Sequence, residues 1–350
     1  MTAIRGFAAG SALALLCASL SWACASHAAA QPGPEGPPAP DPGAAWASES
    51  MQPDGDGTLV VRTSWAARDA RGERRGTVTL HRRDAAGAPR GGTVTVYDGP
   101  APLTALAVRT GMAAIALWRG GARPFVKVVL VDLTATEPSR TLSDRAAIGR
   151  AAVAVRAGVR LVTLPRRAPR GYEPLSAVIA PDAVADGFVV LHEEMGPTPE
   201  AEAHSTLSVV LRNGRQTARV VPIPWGLAAI ADAGDRYILA VRYDGGSAET
   251  TRLCFVTLSR EGQPQQHPWW GAPPDAVDEV QLVRTNAPTA TPATWAAVYR
   301  GGVGLRHIRA APVDMAGSWG REAPAPRELG ERAPGTPWAT RTTDGALGLL

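Results

Sequence analysis

The stretch LHEEMGPTPEAEAH holds the densest set of groups able to move protons or bind metal: His192, Glu193, Glu194, Glu200, Glu202 and His204. A hydrolytic zinc site asks for two histidines on one helical face with a glutamate between them, and the order here is not His-Glu-x-x-His. On a strand, His192 and Glu194 share one face and Glu193 takes the other. Prolines follow, so the stretch reads as a solvated acidic loop rather than a metal centre. In PDGDGT, Asp54 and Asp56 offer oxygens to calcium. Calcium takes about six to eight oxygens, more than this loop supplies, so it reads as a turn into the first strand.

Nucleophile elbows, phosphate loops and dinucleotide fingerprints are missing from the chain. Paired carboxylates for glycosidic chemistry come from different strands and leave no linear trace. Asp132, Asp182, Asp232 and Asp244 stand near strand ends and are the contributors such a pair would draw on, against the ordinary role of turn aspartates. In HPWWGAPP, Trp269 and Trp270 are the candidates for stacking on a sugar or peptide, the competing role being to fill space between sheets. Between Thr58 and Pro100 eight arginines face four acidic residues, an excess suited to an anionic polysaccharide or lipid surface or to a solvated face. Cys254 alternates with Leu253 and Phe255 and reads as a small buried residue. No catalytic residue, metal ligand or cofactor is assigned.

The elements that carry these residues are strands. From about residue 58 onward, short alternating or continuous apolar runs such as TLVV, AAIALW, FVKVVLV, GFVVLH and RYILAV are separated by Gly, Pro, Asp and Asn. Helical periodicity is nearly absent, which predicts an all-β chain. Three runs end in an aromatic residue and a glycine turn: AIALWRGG at Trp118, ILAVRYDGG at Tyr243 and WAAVYRGG at Tyr299. Each follows a smaller strand, as in LTALAVRTG, GLAAIADAGD and EVQLVRTNA, and the two read as a hairpin. Hairpin ends at Trp65, Trp118, Leu164, Leu191, Tyr243, Tyr299 and Leu350 give steps of 53, 46, 27, 52, 56 and 51. A period near fifty with four short strands is that of a propeller blade, with small residues on the inner strand.

Trp118-Arg119-Gly120-Gly121, Tyr243-Asp244-Gly245-Gly246, Tyr299-Arg300-Gly301-Gly302 and the turn Asp84-Ala85-Ala86-Gly87-Ala88-Pro89 give the chain a texture that resembles degenerate β-propeller-like repeat proteins exported by bacteria. The Gly-His and Trp-Asp signatures of WD40 repeats are absent. The resemblance implies a β-propeller-like ring of about six or seven blades and no activity. The alternative architecture is two β-sandwich modules.

Of 36 basic residues only Lys127 is a lysine, and the formal net charge is +4 on 350 residues. So small an excess gives no reason to expect nucleic-acid binding. Arg5, an apolar stretch from Phe7 to Leu20 and the Ala28-x-Ala30 ending form the three regions of a signal peptide, residues 1–30. Its apolar part is shorter than the roughly 20 residues that cross a bilayer. Residues 31–57, rich in Pro and Gly at their start, read as a disordered linker and 58–350 as the propeller-like domain. The expected protein is exported to the periplasm or beyond, has no transmembrane segment when mature, and is non-enzymatic. It would bind a protein or polysaccharide partner, or act as a scaffold, through loops at one end of the ring. The alternative is an extracytoplasmic carbohydrate-active hydrolase or lyase that uses paired carboxylates on the same scaffold.

Lipidation at Cys24 is the competing way to process the N-terminus, disfavoured by Ser21 and bulky Trp22 ahead of the cysteine. Mass spectrometry of the mature chain is expected to find Gln31, or its pyroglutamate, at the N-terminus. A diacylglyceryl group on Cys24 would overturn cleavage after Ala30.

Overall fold

The computed structural model describes residues 46–349 except 56, 71, 135–153, 157, 199–200, 224–225, 244–251, 266–268, 271–276, 287–293, 302–306, 314–326, 332–338 and 342–346. Cys24 and the signal segment lie outside the described residues. Within them every element is a strand and every pairing inside a sheet is antiparallel. None of the described residues forms a helix long and apolar enough to cross a membrane.

The first sheet is β1 (Trp46–Asp54), β2 (Gly57–Trp65), β3 (Arg75–Arg83) and β4 (Pro89–Pro100), in that order. The second runs β5 (Leu103–Arg109), β6 (Met112–Arg119), β7 (Phe125–Asp132), then β9 (Val159–Thr163), with β8 (Ala154–Arg156) at its edge. The third holds β10 (Glu173–Asp182), β11 (Gly187–Met195), β12 (His204–Leu211) and β13 (Gln216–Val221). The fourth holds β14 (Leu227–Asp232), β15 (Arg236–Tyr243), β16 (Arg252–Ser259) and β17 (Trp269–Trp270). The fifth holds β18 (Val277–Arg284), β19 (Trp295–Gly301), β20 (His307–Val313) and β21 (Arg327–Glu331). A two-stranded sheet, β22 (Ala339–Arg341) and β23 (Leu347–Leu349), follows. Successive sheets touch through their first strands, β1 to β5 to β10 to β14 to β18 to β22.

This is a five-bladed β-propeller arrangement, and the expected six or seven blades are corrected to five. The miscount has two sources, one of them being that the final hairpin at the C-terminus is a two-stranded sheet and not a blade of four. Leu164 follows β9, an outer strand of the second blade, and does not end the second strand of a blade of its own. The linker boundary moves as well, because β1 lies inside 31–57 and pairs along its whole length with β2.

The alanine-rich runs are the first strands, where small side chains suit close approach of neighbouring blades. The second strands are buried on both sides. On β6, Ala113, Ile115 and Leu117 pack with the first blade, while Met112, Ala114 and Ala116 pack with the third. On β11, Phe188 and Val190 face the second blade, and Val189 and Leu191 face the fourth. Strands covered on both faces read as continuous apolar runs, because alternation survives only where one face meets water. Burial reaches the chain's one lysine: Lys127 on β7 is 8% exposed, with its Nζ 4.7 Å from the centre of the Phe125 ring.

Where β10 and β14 end, a polar clamp joins the third and fourth blades. The Arg260 guanidinium hydrogen-bonds Asp232 and the Gly234 carbonyl, and its Nη1 sits 3.0 Å from Asp182 Oδ1. Tyr237 donates its hydroxyl to Asp182 Oδ2 at 2.6 Å, under the guanidinium, which lies 4.5 Å from the ring centre. Both carboxylates are almost wholly out of water, at 1% for Asp182 and 7% for Asp232. Asp232 also accepts the Ala183 N–H across the blade boundary, and Arg109 of the second blade donates to the Asp182 carbonyl.

Removing the cation leaves two buried carboxylates with only neutral hydrogen-bond donors. Arg260→Ala is expected to cost about 3–5 kcal/mol of stability in urea unfolding. Arg260→Lys should recover only part of this, since an ammonium cannot reproduce the fork.

Candidate functional site

The ends where β5, β10 and β14 begin lie together: Gly121, in the turn after β6, donates to Glu173, and Gly226, just ahead of β14, donates to Glu193. This end gathers the buried acid-base groups. The sequence of β11, GFVVLHEEM, is buried from Gly187 through Glu194. Its apolar run is clamped between two blades and carries His192, Glu193 and Glu194 in with it, each 0% exposed. The solvated acidic loop expected from the sequence is therefore corrected at its first three residues. Alternation does hold: His192 and Glu194 face the second blade and Glu193 faces the fourth.

Glu194 is held as an anion. Arg166, after β9, donates through Nε to its Oε1 and through Nη2 to the Tyr172 carbonyl, and the Ala168 N–H lies 3.3 Å from Oε2. Burial pushes the Glu194 carboxyl up, but His192 and Arg166 beside it more than offset this and hold it below its ordinary value of 4.5. His192 Nε2 is 3.8 Å from Glu194 Oε2, too far for a hydrogen bond, and neither ring nitrogen has a hydrogen-bond partner among the described residues. His204, at the start of β12, meets the edge of Tyr172 with ring centres 5.1 Å apart.

Glu193 has the opposite character. Burial pushes its carboxyl above the ordinary value of 4.5, and hydrogen bonds from Ser176 and the backbone at Gly226 and Leu227 only partly counter it. Ser176 Oγ lies 3.0 Å from Oε2 and the Gly226 nitrogen 3.4 Å, while Oε1 has no partner among the described residues. Only glycine serves at 226. Its φ is +98°, and a Cβ there would stand 2.1 Å from the Arg242 carbonyl oxygen. The β10–β11 register shifts between Pro174 and Ser176, and such bulges re-aim side chains beside sites.

Adjacent strand residues point to opposite faces, so Glu193 and Glu194 do not close on one bond together. What they form is one carboxyl shifted toward its acid form and one shifted toward its anion at the same strand end. Glu173, the first residue of β10, is exposed and stands at the same end, its Oε2 accepting the Gly121 N–H at 2.7 Å. The ladder pairs Glu173 with Met195 and Ser176 with Glu193, which puts the two glutamate backbones roughly 8 Å apart.

The remaining sequence candidates are scattered. Asp182 and Asp232 do come together, but on Arg260, as a clamp. Asp132 accepts from the Thr134 backbone and hydroxyl in its own turn. Asp54 pairs with Arg82 at 2.7 Å. Asp56, Glu200 and Asp244 lie outside the described residues. Trp269 and Trp270 form β17, paired with Phe255 and Cys254 on the outside of the fourth blade. Cys254 is buried in β16. No group of three or more His, Cys, Asp and Glu is placed to hold a metal among the described residues. Sequence reading missed Arg166, Ser176 and Gly226, whose roles come from contacts 17 to 33 residues away along the chain.

Arg166→Met strands the Glu194 anion and is expected to cost about 3–5 kcal/mol near neutral pH. As pH falls toward about 4 a proton replaces the lost cation, so the penalty should shrink. Urea unfolding of both proteins across that range checks the size and the slope.

No protein-family model matches the sequence, and no curated protein matches it. Solved structures do match. One named a glycoside hydrolase is 11% identical, with 81% of this chain and 91% of that one covered at a TM-score of 0.44. A GH43_1 enzyme from Xanthomonas citri, complexed with xylose, is 12% identical over 87% of this chain and 90% of its own, at 0.39. A Synechocystis apocarotenoid oxygenase is 9% identical over 77% and 60%, at 0.38. At these identities the likeness is one of fold, and the chemistry has to come from side chains. The expectation of a non-enzymatic binding or scaffold protein is not carried further: structures named as glycoside hydrolases are among the matches, and the enzyme alternative rests on the buried carboxyls of β11.

Proposed function

We propose that the chain is an extracytoplasmic carbohydrate-active hydrolase or lyase, working at the end of the propeller where β10 and β14 begin. The observation that carries this reading is Glu193: a fully buried carboxyl with one unpartnered oxygen, driven toward its neutral form. A carboxyl shifted toward its protonated form is what an acid catalyst needs. Cleavage of a glycosidic bond can be run by carboxyl groups alone, one giving a proton to the leaving oxygen and another activating water or a sugar carbon.

In the hydrolytic form, sugar binding has to uncover Glu193, which is 0% exposed in the unliganded fold, before it gives its proton to the glycosidic oxygen as the C–O bond breaks. Water adds to the anomeric carbon and its proton passes to solvent, while Glu173, the exposed carboxylate at the same strand end, is held by Gly121 on the second-blade side. Glu194 stays ionised on the other face, where its pairing with Arg166 fixes the strand end that carries Glu193. Export is supported by Arg5, the apolar stretch that follows and the Ala28-x-Ala30 ending.

The test uses the mature chain and a panel of neutral and acidic polysaccharides, following new reducing ends for hydrolysis and ultraviolet absorbance of unsaturated products for elimination. Glu193→Gln is expected to lower the rate by about 10²–10⁴ while the protein stays folded. Stability supplies a second readout. The folded value of Glu193 lies above its ordinary 4.5, so its contribution is complete below that pH and is lost as pH rises through the folded value. Glu193→Gln should remove this slope and unfold later than the parent above neutrality. Cleavage of no polysaccharide, or full activity in the glutamine variant, would overturn the proposal.

A further inference from the structure

The proton that makes Glu193 an acid needs an oxygen to sit on and an acceptor to point at. Glu193 is the middle member of a polar row that crosses the third blade, with Ser176 opposite it on β10 and Ser205 opposite it on β12. The row faces the fourth blade: Ser176 and the Gly226 N–H reach the Glu193 carboxyl, and Ser205 shares its side of β12 with Leu207, which packs in that interface. Glu193 is 0% exposed and Ser205 1%.

The two oxygens of the carboxyl are used differently. Oε2 accepts from the Ser176 hydroxyl at 3.0 Å and from the Gly226 N–H at 3.4 Å. A backbone N–H can only donate, so Oε2 is kept as the accepting oxygen. Oε1 is buried and has no partner among the described residues, and the same holds for Ser205 Oγ. Residues directly opposite on an antiparallel pair hold their Cβ atoms about 4.5–5.5 Å apart, within reach of a glutamate side chain, and rotation about one bond carries a serine hydroxyl among its staggered positions. Two polar atoms left unsatisfied out of water are costly, and one hydrogen bond between them removes both penalties.

We propose that Glu193 carries its proton on Oε1 and donates it to Ser205 Oγ, which makes Ser205 the positioning residue of the acid. The inference rests on the acid reading of Glu193 given above and names what holds its proton. Ser176 works the other way, since its hydroxyl donates to Oε2 and steadies the anion. One carboxyl is thus drawn in opposite directions by the serines on its two sides. Among the described residues Arg242 on β15 is the cation that acts on Glu193, and Cys254 on β16 packs in the same layer between the blades. His192 and Glu194 turn to the second blade, and Glu173 is held there by Gly121.

Carbon-13 NMR of the full chain labelled at its glutamate carboxyls tests this, the Glu193 signal being the one that vanishes in Glu193→Gln. Ser205→Ala removes the acceptor of the acid form, so Glu193 is expected to bind its proton roughly tenfold more weakly. Ser176→Ala removes a donor to the anion and should strengthen proton binding by a similar factor. Ser205→Thr keeps the hydroxyl and is expected to titrate as the parent does. On a polysaccharide that the parent cleaves, Ser205→Ala should move the alkaline limb of kcat to lower pH with KM unchanged, which a merely structural role would not do. A Glu193 titration that Ser205→Ala leaves in place, or moves in the same direction as Ser176→Ala, overturns the assignment. The expected pair of opposite shifts in a protein that cleaves no polysaccharide supports the proton's place and overturns the enzyme reading alone.

Discussion

Apolar packing between the faces of successive blades holds this molecule in shape, and it does so through strands that have no outward side. A register slip of one residue on β6 would send the Ile115 and Leu117 row where Ala114 and Ala116 now sit, against the third blade. The two rows differ in volume, so the slipped arrangement overfills one interface and hollows the other. Alternation of larger and smaller residues on opposite faces thus fixes both the pairing inside a sheet and the spacing between sheets.

The same confinement sets the chemistry of the polar groups. A carboxyl at the end of a doubly covered strand cannot reach water, so its state depends on what the neighbouring blade offers. The second blade offers Glu194 a guanidinium, and it is an anion. The fourth offers Glu193 only backbone N–H groups, which with the Ser176 hydroxyl of its own blade do not make up for the water that is lost, and it leans toward the acid. At the opposite end Asp182 and Asp232 share Arg260 and become fasteners between the third and fourth blades. One functional group, the carboxyl, is turned to three uses by the partners set around it.

Much of the scaffold was legible in the sequence because its signals are local. Turn glycines after Trp118 and Tyr243, and alanine-rich first strands before them, mark hairpins within about twenty residues. β1 was hidden because WASESMQPD lacks an apolar run and follows a proline-rich stretch. The second blade was split in two because residues 135–153 separate β7 from β8 and β9, which made an outer strand resemble a new hairpin. The site was illegible for a different reason. Nothing near Glu193 in sequence distinguishes a buried acid from a loop glutamate, since Ser176 and Gly226 come from other strands. The ion pairs around Arg260 likewise join residues 28 to 78 positions apart.

The burial of Lys127 has a practical side. It is the chain's single lysine, and it is packed in β7 against Phe125. Reagents that acylate primary amines therefore meet one accessible target on the folded chain, the terminal amino group when that is unmodified. A dye or surface linker of that chemistry would attach to every molecule at the same point in the sequence, ahead of the first blade, and leave the arginines untouched. Labelling of Lys127 itself would then report the opening of the second blade.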